Sequence, residues 1–80
     1  MLDKRVLVLL ESGESAKALI LAESLVAAFP HRADVWFRFA CANGVAGNIG
    51  AAREAAARSI ELDMQWRERV LDEPMLEAIW

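Results

Sequence analysis

Eighty residues, 56% of them hydrophobic, with nine basic against twelve acidic side chains, describe one small domain of net charge −3. That hydrophobic share excludes a mainly disordered chain, and with no basic block a phosphate-tracking nucleic-acid surface is not expected. The single cysteine, Cys41, excludes an intramolecular disulfide framework and a Cys-based zinc site within one chain.

The expected elements are all helical. Tyr and Thr are absent, and no stretch alternates cleanly enough to read as a strand. A first helical segment ends at Ser12-Gly13, where Gly acts as a C-terminal stop and Ser12 can cap the second helix, with Ser15 as second choice. The second segment, about 14–29, stops at Pro30. A third runs over 33–46, with Gly44 and Gly47 weakening its end. Asn48 is positioned to cap a fourth, 49–62, rich in Ala. A fifth covers about 65–71, and Pro74 suits the first turn of a last short helix, 75–80. The apolar runs 19–22, 25–30 and 39–49 are too short or too Gly-broken to span a bilayer. The run 6–10 behind Lys4 and Arg5 is too short for a signal peptide. The expectation is a cytoplasmic chain that does not enter a membrane.

A shift of 34 residues lays Gly13 on Gly47, Ala18 on Ala52, Ala22 on Ala56 and Val26 on Ile60. The two Ala positions are four apart, one face of a helix, where small side chains let antiparallel helices approach closely. The best-matching stretch is 33–64. There Trp36, then Phe39 and Ala40, then Gly47, Ala52 and the ending Ile60-Glu61-Leu62-Asp63 come in order at fixed spacing. On these residues the chain resembles the tetratricopeptide repeat. It departs from the pattern at Arg5 and Val6, where the repeat has Leu-Gly, at Asn43, where it has an aromatic, and at Ala56, where it has a larger residue. The resemblance implies one domain over 1–80, with repeat 1 at about 1–32, repeat 2 at about 33–64 and a C-terminal cap at about 65–80. Its repeat core would be Gly13, Ala18, Ala22, Trp36, Phe39, Ala40, Gly47, Ala52, Ala56 and Ile60.

In such repeats the first helix of each pair lines a concave groove. That places Leu7, Leu10, Phe37, Cys41 and Val45 as a candidate partner-binding surface. The alternative is that the tail covers Phe37 and Cys41 itself. The positions that would grip a peptide carboxylate in some relatives fall on Asp3, Leu7, Arg38, Glu68 and Asp72. Only Arg38 has the right sign, so an apolar or basic partner is expected. Leu76, Ile79 and Trp80 are read as a cap over the end of the array, or else as an oligomer interface.

No catalytic, cofactor or metal site is expected. His31 and Cys41 are the only imidazole and thiol, about 15 Å apart along a helix axis, and cannot form a nucleophile–base pair within one chain. Glu54 and Arg58 can pair at i, i+4 on a solvated face. The functional expectation is a non-enzymatic protein-interaction module, monomeric or dimeric, that buries an apolar segment of a protein partner. A structural self-association module, or the end of a longer array, is the alternative.

Overall fold

The computed structural model describes the backbone of residues 2–79 and the side chains of 4–77 and 79. All regular structure there is helical: α1 (Leu2–Glu11), α2 (Ser15–Ala28), α3 (Ala33–Ala46), α4 (Ile49–Leu62), α5 (Trp66–Asp72) and a closing 3₁₀ helix (Pro74–Ile79). No helix among these residues is long and apolar enough to cross a membrane.

The two turns inside the hairpins are built alike. Gly13 and Gly47 both have positive φ, 80° and 85°, which a residue with a Cβ adopts only at a cost. The Gly13 N–H donates to the Leu10 carbonyl and the Glu14 N–H to Leu9; the Gly47 N–H donates to Gly44 and the Asn48 N–H to Asn43. Both sets are the paired bonds of a Schellman motif, which satisfies the last carbonyls of a helix. Ser12 finishes α1 rather than capping α2, because its hydroxyl donates back to the Val8 carbonyl at 2.6 Å. Asn48 stands at the start of α4 but makes no side-chain cap. Its amide instead donates to Asn43 Oδ1 at 3.2 Å, while Asn43 Nδ2 donates to the Phe39 carbonyl at 2.9 Å. Both ends of the buried Asn43 side chain are thereby satisfied, which lets a polar residue stand in the interior.

Small side chains set the helix spacing. Ala18 and Ala22 on α2, Ala40 on α3, and Ala52 and Ala56 on α4 are all fully buried. Larger core side chains come from Val6, Leu10, Phe37, Val70, Leu76 and Ile79. Trp36, Phe39 and Ile60, expected in the repeat core, are half-buried and pack against its margin. Trp36 lies near the surface because its Nε1 reaches the Pro30 carbonyl (2.8 Å) and so ties the α2–α3 turn to α3. On α4, Arg58 pairs with Glu61 (3.3 Å) and not with Glu54.

Asp72-Glu73-Pro74 breaks the last helix, and the chain turns back along α3 and α4. Leu76 and Ile79 are fully buried there, and Arg53 Nε donates to the Ile79 carbonyl at 2.6 Å. Gly44 makes room for this pass: a Cβ on it would stand 2.6 Å from the Met75 carbonyl oxygen. Leu76 and Ile79 thus close their own chain. Trp80, expected beside them, lies outside the described residues, as does the side chain of Asp3.

Candidate functional site

The five residues expected to line an apolar groove do not form one surface. Leu10, Phe37 and Cys41 are 7%, 1% and 0% exposed. Leu10 is buried where α1 packs on α2 and α3; for Phe37 and Cys41 the physical reason is the tail. Trp66 of α5 packs on Phe37 with ring centroids 5.2 Å apart, and the closing 3₁₀ helix lies along α3. Val45 is exposed near the far end of α3, and Leu7 alone lines an open cleft.

That cleft, about 620 Å³, opens where α1, α3 and α5 begin and α4 ends. Lys4 and Leu7 come from α1, His31 and Arg32 from the α2–α3 turn, Asp34 and Arg38 from the start of α3, Asp63 from the end of α4, and Trp66 and Arg69 from α5. Among the described side chains four cations face two carboxylates, a formal +2 within a chain of −3. Arg32 grips Asp34 with two bonds, Nε to Oδ1 at 3.0 Å and Nη2 to Oδ2 at 2.6 Å. That pair holds both side chains at the rim, and a surface pair of this kind adds little to stability.

The floor is aromatic. Arg69 lies over the Trp66 ring, 4.4 Å from its centroid, and 5.4 Å from that of Phe37. Arg38, only 7% exposed, stands 5.0 Å from the Phe37 centroid. Stacking on a ring fixes the guanidinium plane of Arg69 at the exposed side of the cleft.

Sequence reasoning found Arg38 but took Asp3 and Glu68 as the flanking positions. Among the described side chains Lys4 and Arg69 line the cleft. On α5 one residue is about 100° around the helix, which puts Arg69 and not Glu68 at the cleft. Glu68 and Asp72 are exposed and are not part of the lining. The Trp66–Arg69 and Lys4–Leu7 spacings, each i, i+3, were the available signal.

Cys41 lies beneath this floor. Burial above all, then the charge of Glu73, pushes its thiol up to about 12 against the opposing pull of Arg38 and Arg69. It is a core side chain and not a nucleophile at neutral pH. His31 is exposed at the cleft rim. Among the described residues no group of His, Cys, Asp and Glu is placed to hold a metal ion.

Comparison with protein-family models, with curated proteins and with solved structures returns no match for this chain.

Proposed function

We propose that this chain is a tetratricopeptide-like module of two helical hairpins and a cap, and that it binds a protein partner through the cationic cleft. The repeat reading is supported by the two hairpins themselves. The same Schellman turn recurs 34 residues apart, and the same Ala pair, Ala18–Ala22 and Ala52–Ala56, is fully buried in each. The binding reading rests on one observation: the exposed cations Lys4 and Arg69 line the same cleft as Trp66, at the end of the molecule where three helices begin. Such a surface suits an acidic, extended segment carrying an apolar residue to lie against Trp66. With His31 exposed at the rim and Cys41 buried beneath the floor, the chain's imidazole and thiol stand apart, which favours a binding role over catalysis. The free Cys41 suits a reducing compartment such as the cytoplasm.

Calorimetric titration with acidic, neutral and basic peptides of equal length tests the reading. The acidic peptide should bind, and should weaken as salt rises. Arg69→Glu and Lys4→Glu should each lower that affinity while circular dichroism stays unchanged. Equal binding of the basic peptide would overturn the assignment.

A further inference from the structure

The two ends of the molecule differ. At one end Val70, Leu76 and Ile79 are fully buried under the returning tail. At the other, α1 and α2 carry no further layer among the described residues. There Val8 is 61% exposed, directly opposite the buried Val6 and Leu10 on α1. Lys4, Arg5, Val8, Leu9 and Leu21 line a second cleft of about 450 Å³, more apolar than the first.

We propose that this α1 face is a homodimer interface, occupied by the α1 of a second copy packed antiparallel about a two-fold axis at Val8. The charge order of α1 carries the inference. Arg5 stands three residues before Val8 and Glu11 three residues after it, each about 4.5 Å along the axis from the centre. Both are exposed, and among the described residues neither has an ion-pair partner. In the antiparallel pairing Arg5 faces Glu11 of the second copy and Glu11 faces its Arg5, with Val8 against Val8 between them. A parallel pairing sets like charge on like charge. An uncharged apolar partner leaves both charges without a match at the interface rim.

The sealed end explains why the assembly closes. A head-to-tail stack needs a second open surface, and the returning tail has filled it. On sequence grounds Leu76, Ile79 and Trp80 are a cap over the end of the array or else an oligomer interface; the side chains of Leu76 and Ile79 are inside, whereas Val8 on α1 is exposed. Lys4 lines both clefts, but Arg5, Val8 and Glu11, which carry the proposal, are not part of the cationic lining, and its test needs no ligand in that cleft. A single ten-residue helix pair is a small interface, so a weak, concentration-dependent dimer is expected.

Sedimentation of the full chain over a concentration series tests this. The parent should move from monomer to dimer. Val8→Glu should weaken the dimer at least about tenfold, while its helical dichroism is retained because Val8 is a surface residue. Ile20→Glu, an exposed apolar residue of α2 outside this cleft, should leave the dimer unchanged. Arg5→Glu and Glu11→Arg should each be monomeric alone, and mixing the two should restore a dimer, since each mixed pair regains both opposite-charge contacts. A parent that stays monomeric up to its solubility limit overturns the proposal. So does a dimer that survives Val8→Glu, or charge variants that fail to complement each other.

Discussion

Gly44 and Met75 meet backbone to backbone: the carbonyl oxygen of Met75 occupies the space where a Gly44 Cβ would be, 2.6 Å away. Gly44 lies inside α3, where Gly costs about 1 kcal/mol against Ala through chain entropy. The close passage of the tail is what that cost secures. Gly44→Ala should therefore destabilise, by about 1–3 kcal/mol of overpacking despite its better helix propensity. Urea denaturation measures it. A gain of stability would mean that the tail does not seat on α3.

The other glycines should respond with different signs. Gly13 and Gly47 have open space around the Cβ position but a left-handed backbone, so Ala at either should cost about 1–2 kcal/mol from conformation alone. Gly50 has open space and an ordinary helical backbone in α4, so Gly50→Ala should stabilise by about 0.5–1 kcal/mol. Thermal melts of the three variants check the contrast.

Phe37 and Trp36 should exchange their expected importance. On the sequence Trp36 is the repeat's core aromatic and Phe37 faces outward. In the fold Phe37 is 1% exposed beneath Trp66, whereas Trp36 is half-buried. Phe37→Ala should cost about 3–5 kcal/mol, and Trp36→Ala clearly less. Denaturant midpoints of the two variants decide the order.

This exchange marks where the sequence stops being legible. The bounds of α3 and α4 were readable because Pro30, Gly47 and Asp63 punctuate them. The Ala pairs were readable because they repeat. The facing of α3 was not. Its buried residues include Val35, Phe37, Arg38, Ala40, Cys41, Ala42 and Asn43, positions that run around most of the helix. A helix enclosed on most sides has no single apolar stripe for periodicity to find. The cleft was missed for a related reason. Lys4 and Arg69 are sixty-five residues apart in sequence, and only the return of α5 to the start of α3 sets them around one opening.

The Cys41 thiol should report on the fold through pH. Its folded value, about 12, lies above the 9.0 of a free thiol. The unfolded chain therefore ionises first. Its contribution to stability is intact below pH 9 and is lost as pH rises from 9 toward 12. The stability of the parent relative to Cys41→Ala should fall across that window, measured by urea denaturation at fixed ionic strength. At pH 8 an aromatic disulfide reagent should modify the native thiol far more slowly than the unfolded one. Rapid native modification would place Cys41 at the surface.

Among the described elements α3 is the one that every other element touches: α1, α2, α4, α5 and the closing 3₁₀ helix all pack on it. This has a kinetic consequence. The α1–α2, α2–α3 and α3–α4 contacts join segments separated by short turns, so they form before the longer closure that the tail makes on α3. Substitutions on the α3–α4 seam, such as Ala52→Gly, should slow refolding. Substitutions in the tail, such as Leu76→Ala, should mainly speed unfolding. The four long helices would then assemble first, with the C-terminal tail arriving last over α3.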